Sequence, residues 1–295
     1  MCIFVTIFDL FCFNARFDNV VAPTPLKEAY YKIPFPYQDL DVKLRSSIDI
    51  VNYRCDAIHT GGMLSNKNLI FGVPSYSGII GYMPKRFSDL INNFGYPKGT
   101  VLIYPSDVAQ SERFLDLSAA KYTFKDLASA QVRPSALSRL MLFYNYSIIP
   151  DDRRTLEILK DEKFNPQAEI LLSQPLQENF TASPGLPGKA VFISAATSDA
   201  VAANVETPTP ALLLFSESYS NGWKAYVDDR PAPVYRANFN FLACPIPSGE
   251  HKVIFRFEPK SFFVSAWISL AGLVMFFAAS IYLISRKNKK EKILS

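Results

Sequence analysis

The residues able to do chemistry are few and scattered. Asp228 and Asp229 are neighbouring carboxylates, and glycosyl chemistry runs on two carboxylates. Neighbours in an extended chain point apart, however, and this pair lies between two strand-like runs, where Asp forms turns. The pair therefore reads as a turn. Trp223, Tyr226 and Tyr235 can form a platform on which a sugar stacks. Strands also select aromatic residues for packing alone, which is the plainer reading. Lys85 and Arg86 follow a glycine-rich stretch and can meet the phosphate of a lipid-linked sugar. Lone basic residues at a helix start are ordinarily just solvated. His251 falls on an exposed strand position with no nucleophile or carboxylate placed to complete a triad. No residue is assigned a catalytic role.

Other chemistries find little support. The only histidines are His59 and His251, and the four cysteines (Cys2, Cys12, Cys55, Cys244) form no CxxC or Cys/His pattern. No metal or cofactor is expected on that basis. Gly72, Gly78 and Gly81 are not followed by the GK[ST] of a phosphate loop. The net charge of +4 is a property of the tail: Arg286, Lys287, Lys289, Lys290 and Lys292 stand against Glu291. Positions 1–285 hold 26 basic and 26 acidic residues, so no basic stripe exists to meet nucleic-acid phosphate.

Membrane attachment is the firmest reading. Residues 262–284 (FFVSAWISLAGLVMFFAASIYLI) contain no charge. About 20 apolar residues span the ~30 Å hydrocarbon core as a helix. Trp267 and Tyr282 lie toward its two ends, as interfacial aromatics do. One lysine, Lys260, precedes the span and five basic residues follow it, which predicts a cytoplasmic tail at 285–295 and an outer location for what precedes the span. The start, MCIFVTIFDLFCF, is too short to span and is interrupted by Asp9. It reads as the end of a truncated transmembrane helix at 1–14.

Between these ends the pattern predicts an α+β, mainly β body. Residues 15–175 read as a mixed α/β subdomain. An irregular Pro- and Tyr-rich connection over 15–50 opens it, followed by strands at 54–59 and 69–72 and a glycine-rich loop at 72–82. Helices are expected at 85–94 (closed by Gly95), 111–118 and 151–160, and strands at 119–124, 139–149 and 169–173. Residues 174–189 (QPLQENFTASPGLPGK) read as a hinge. Residues 188–260 read as an antiparallel β-sandwich with strands at 190–195, 201–206, 212–218, 223–227, 233–236, 239–245 and 251–257. Val201, Ala203 and Val205 share one face of their strand, and Val253, Phe255 and Phe257 share one face of theirs.

The segment SESYSNGWKAYVDDRPAPVYRANFNFLACPIPSGEHKVIFRFEPKSF resembles the C-terminal signature of the bacterial membrane protein YfhO family. That signature joins a GWxAYVDG hairpin, an RAN segment, a PxGEHxVxFxYxP strand and a transmembrane helix. IIGYMPKRFSDLI, LDLSAAKYTF and SRLMLFYNYSIIPDD resemble earlier family segments in the same order. The resemblance implies a polytopic protein of the GT-C glycosyltransferase type, taking sugars from polyprenyl-phosphate donors at the outer face. The catalytic acid of that class sits in an early outer loop, and no such loop occurs here. The resemblance thus implies a non-catalytic outer module whose partners are the lipid bilayer, a missing N-terminal transmembrane region and a glycan or lipid-linked sugar. A free-standing, membrane-anchored glycan-binding or scaffold protein is the alternative. Asp229 stands where the family has Gly, and Asp tolerates the left-handed conformation better than most residues.

Overall fold

A computed structural model of the chain describes residues 49–56, 84–96, 108–124, 130–177, 185–197 and 199–294. The expected helix end at 1–14, the connection through 48, the strand at 69–72 and the glycine-rich loop lie outside the described residues. Three sheets are present among the described residues. A small one has the order β1 (Arg54–Asp56), β2 (Ala120–Phe124), β3 (Ala130–Val132), with β1 and β2 parallel. The largest has seven strands: β5 (Asn145–Ile148), β6 (Glu169–Leu172), β13 (Tyr235–Ala237), β14 (Phe241–Ile246), β10 (Ala211–Phe215), β4 (Leu140–Phe143) and β7 (Lys189–Val191). Only β5 and β6 run parallel in it. The third is antiparallel: β12 (Arg230–Ala232), β11 (Trp223–Val227), β15 (Gly249–Phe257), β9 (Ala200–Thr207) and β8 (Ile193–Ala196). The helices among the described residues are α1 (Lys85–Asn93), α2 (Val108–Leu117), α3 (Asp152–Lys160) and α4 (Lys260–Leu294).

The seven-stranded sheet is the middle of three layers. All five residues of β10 (ALLLF) are buried, the pattern of a strand covered on both faces. Its alternation sorts them: Leu212 and Leu214 pack with Leu90, Phe114 and Leu159 of the helix layer. Ala211, Leu213 and Phe215 pack with Ala203, Val253 and Phe255 of the five-stranded sheet. β14 repeats the arrangement, with Phe241 and Ala243 toward the helices and Leu242, Cys244 and Ile246 toward the other sheet. Each fully buried Leu or Phe contributes about 1.5–3 kcal/mol by leaving water. The α+β, mainly β class with a sandwich stands, and the faces expected of β9 and β15 are those observed: Val201, Ala203, Val205, Val253 and Phe255 are all buried.

Several boundaries differ from expectation because a strand's partners, not its composition, decide where it ends. Strands β4, β5 and β6, before residue 175, share one sheet with β7, β10, β13 and β14, beyond 188. The stretch 174–189 therefore connects two parts of one sheet and does not separate two folding units. The run 139–149 is two strands, broken at buried Tyr144, whose hydroxyl lies 3.3 Å from Thr207 Oγ1. The run 190–195 is also two. Its break at Phe192 carries the chain from the seven-stranded sheet to the five-stranded one, and Asn52 Oδ1 accepts the Ile193 N–H there (2.7 Å). The strand expected at 233–236 begins only at Tyr235, as β13, because Pro233 and Val234 carry the chain across from β12 of the other sheet, and the helix expected from Ser111 begins at Val108.

The helix termini follow local chemistry. Asp151 caps α3, its Oδ1 accepting the N–H of Arg153 (2.7 Å) and Arg154 (3.0 Å). Arg113 of α2 donates to the carbonyls of Leu159 and Phe164 and closes the other end of α3. α1 ends in a Schellman turn: Gly95 takes φ 90° and the Tyr96 N–H reaches Ile91 O at 3.2 Å.

α4 continues directly from β15. Its 35 residues make a rod of about 52 Å at 1.5 Å per residue. Val264–Tyr282 has a mean hydropathy of 2.0 and no buried share. It is the one helix among the described residues long and apolar enough to cross a membrane, and it lies within the expected 262–284. Asp151→Ala, by removing the α3 cap, should lower stability by about 1 kcal/mol in chemical denaturation of the full chain in detergent.

Candidate functional site

A polar cleft runs between α1 and α3. It encloses about 820 Å³ and is lined along α1 by Lys85, Arg86, Asp89 and Asn92, and along α3 by Asp152 and Glu157. Its centre is Asp152. Arg86 Nη2 lies 2.9 Å from Asp152 Oδ2, and Arg236 Nη2 lies 3.2 Å from Oδ1. Partial burial pushes the Asp152 carboxyl up, but the hydrogen bond from Arg86 and the charges of both arginines outweigh it and hold it below the ordinary value. Arg86 also lies 4.9 Å over the ring of Phe239 and donates to its carbonyl at 3.4 Å. Phe239 has φ 70°, left-handed backbone that a bulky side chain adopts at a cost of about 1–3 kcal/mol. Asn238 before it, with φ 42°, is locked to β6: its N–H donates to Leu171 O (2.8 Å) and its Oδ1 accepts the Leu171 N–H (2.9 Å). The strained pair thus presents the Phe239 ring to the cleft.

The expected site residues separate into three places. Lys85 and Arg86 both line this cleft. Tyr235, 1 % exposed, belongs to the core under the helices, and its hydroxyl accepts the Gln177 N–H at 2.8 Å. Trp223 points between the sheets, 5.5 Å from Phe215 and 5.4 Å from Phe257. Tyr226 lies on the opposite face of the same strand and donates to Glu258 Oε2 at 3.1 Å. A common stacking platform of Trp223, Tyr226 and Tyr235 is therefore not formed, because β11 and β13 belong to different sheets.

His251 requires a correction of another kind. Its Nδ1 lies 2.7 Å from Asp228 Oδ2, and its side chain is half-buried. Asp228 Oδ1 accepts the Lys252 N–H at 2.9 Å. The register that pairs Val227 with Val253 brings the carboxylate to the imidazole. Asp228 and Asp229 have φ 51° and 62°, the pair of left-handed residues that a two-residue hairpin requires, so they form a turn as expected. The bond to His251, aided by the Lys252 N–H, holds the Asp228 carboxyl below its usual range. A second cleft of about 680 Å³ adjoins this pair, with Pro231, Pro233, Pro245 and Pro247 among its walls.

A buried charge cluster, not anticipated from sequence, ties the small sheet to the large one. Arg54 Nη1 donates to Ser118 O (2.8 Å) and Ser216 Oγ (2.9 Å), and Nη2 to Glu217 Oε2 (2.9 Å). Arg139 donates from Nη1 to Val51 O at 3.0 Å, while its buried Nε–H has no partner among the described residues. Burial, reinforced by the charge of Arg54, pulls the Arg139 guanidinium down to about 10.

The two clefts connect differently to the end of the body from which α4 leaves. The Phe257 end of β15 is the one from which α4 leaves. At about 3.4 Å per residue, His251 is about 20 Å away from it along the strand. The α1/α3 cleft is close to the α4 end: Glu258 N–H donates to Gly222 O (2.6 Å), Tyr219 N–H donates to Asn240 O (2.7 Å), and Phe239 is the next residue.

Residues 186–269 match the family model described as bacterial membrane protein YfhO. The match runs from just before β7 into the first turns of α4, and takes in the Asp228–Asp229 turn, His251 and the strand that feeds the span. No curated protein and no solved structure matches the chain. The chain thus carries the YfhO signature from β7 through β15 and over the first ten residues of α4.

Removing Glu217 leaves two buried guanidiniums facing each other. Glu217→Gln should destabilise the full chain by about 3 kcal/mol in detergent denaturation, the low end for a broken buried pair because Glu217 is partly exposed. Asp152, its carboxyl depressed by the arginines, contributes stability that is fully present above the unfolded carboxylate value of about 4 and is lost as pH falls through its lower folded value. Asp152→Asn should therefore flatten the acid limb of the stability–pH curve below about pH 4 and leave the neutral region's slope unchanged.

Proposed function

We propose that this chain is the extracytoplasmic C-terminal module of a polytopic bacterial membrane protein resembling GT-C glycosyltransferases. In this reading it supports sugar transfer from a polyprenyl-phosphate donor to a cell-surface glycopolymer and is itself non-catalytic. The observation that carries the reading is the position of the α1/α3 cleft, at the end of the body from which the membrane helix departs. A lipid-linked sugar stays within reach of the bilayer surface, so a site that holds one must lie there too. The cleft offers carboxylates, amides and guanidinium groups to sugar hydroxyls, and Lys85 with Arg86 to a phosphate. The asymmetry between Lys260 and the basic cluster after the span favours an outer body and an inner tail.

The test is made in the producing cell. A strain lacking the chain is complemented with wild type or with the Lys85→Ala/Arg86→Ala double variant. The sugar content of the surface polymer and the lipid-linked sugar pool are then measured. The double variant should decorate the polymer poorly while the lipid-linked pool rises. Unchanged polymer and lipid pools in the strain lacking the chain would overturn the reading and leave a membrane-anchored scaffold. Biotinylation with a membrane-impermeant amine reagent should label body lysines in intact cells and spare Lys289 and Lys290 until the membrane is opened.

A further inference from the structure

The core between the five- and seven-stranded sheets is closed at its α4 end by one aromatic layer. Phe215 and Phe255 lie 5.2 Å apart and are buried. Trp223 stands edge-on to Phe215 at 89° and also contacts Phe257. Phe257 is the outermost ring and is 37 % exposed. Its position is fixed from behind by Gly222, where an added Cβ would fall 2.5 Å from Phe257 Cε2. Exposed apolar residues also occur elsewhere on the body, such as Phe192 and Val132, but Phe257 is set apart by its place at the rim of a packed core, three residues before α4.

We propose that this rim, Trp223 and Phe257 with the flanking Arg256 and Lys260, rests in the headgroup layer of the bilayer that α4 crosses. The occupant follows from continuity with the span. Phe257 is three residues before α4, and the apolar run opens at Phe262. Counting about 3.4 Å per extended and 1.5 Å per helical residue, Phe257 stands no more than about 13 Å above the start of that run. The headgroup layer of one leaflet occupies about 5–7 Å of that interval. Trp and Phe rings suit this layer, where one edge is apolar and the other wet, and Arg and Lys extend their charged ends to lipid phosphate. The consequence is orientational: the body lies down against the membrane on this rim, with the Asp228–His251 cleft facing away from it. This inference rests on α4 as a membrane span and is independent of any role in sugar transfer.

The chain contains two tryptophans, Trp223 and Trp267, which makes the test direct. The full chain carrying Trp267→Phe is inserted in phosphatidylcholine vesicles, leaving Trp223 as the only indole. Phosphatidylcholine brominated near the top of its acyl chains should quench Trp223. The Trp223→Phe variant, with Trp267 inside the span, supplies the reference for complete lipid quenching and confirms insertion. As a second readout, Phe257→Ser in the Trp267→Phe background should reduce the lipid quenching of Trp223. No lipid quenching of Trp223, while Trp267 is quenched normally, would overturn the proposal.

Discussion

The seven-stranded sheet must be covered on both faces, and most of the structure follows from that requirement. A sheet whose central strands read ALLLF and LMLF has no polar face to offer water. One face is met by α1, α2 and α3 and the other by the five-stranded sheet, so the chain passes repeatedly between layers. Those crossings are sharp. The corner at Phe192 and the turn at Gly249, with φ 123°, each move the chain from one sheet to the other within two or three residues. The turn at Asn238–Phe239 stays within the large sheet but places a strained aromatic ring beneath Arg86. The cleft is thus a by-product of closing the sheet beneath the helices.

Sequence periodicity revealed the strands but not their partners. The alternation in AVAANVET identifies which side chains of β9 are inside, because a strand's two faces are set by the chain itself. The crossing points were illegible for the opposite reason. Tyr144 and Phe192 lie inside runs as apolar and aromatic as the strands beside them, and nothing local marks the change of sheet. Tyr235 groups with Trp223 and Tyr226 in the sequence because all three lie in one short signature. Only tertiary pairing shows that β13 joins the inner sheet and buries Tyr235.

The site was legible in part for similar reasons. Lys85 and Arg86 stand out as a basic pair opening an amphipathic helix. Arg86's partners Asp152 and Phe239, and the Arg236 that shares Asp152 with it, come from segments far along the chain, with no spacing to connect them. His251 was the opposite case. The hairpin turn and the register of the next strand together imply that Asp228 must approach it, and pairing β11 against β15 on paper would have found the contact. The Arg54–Glu217–Arg139 cluster leaves no trace of this kind, since burial of a charge is decided by packing alone.

The distribution of charge ties these observations together. With equal numbers of acidic and basic residues over positions 1–285, the body has no net field to hold it against or away from a lipid surface. Its charges are instead consumed locally, as in Asp152 between two arginines and Asp228 against His251. The excess of positive charge sits beyond the span and, across about 30 Å of hydrocarbon, cannot orient the body. Orientation must then come from short-range contact at the one place where body and membrane meet. The structure offers apolar rings at that place, in the Trp223–Phe257 layer, and a polar cleft a few residues behind it. A neutral body on a single helical stalk would be free to tilt, whereas rings at the base of the stalk convert a flexible tether into a defined approach of the cleft to the lipid surface.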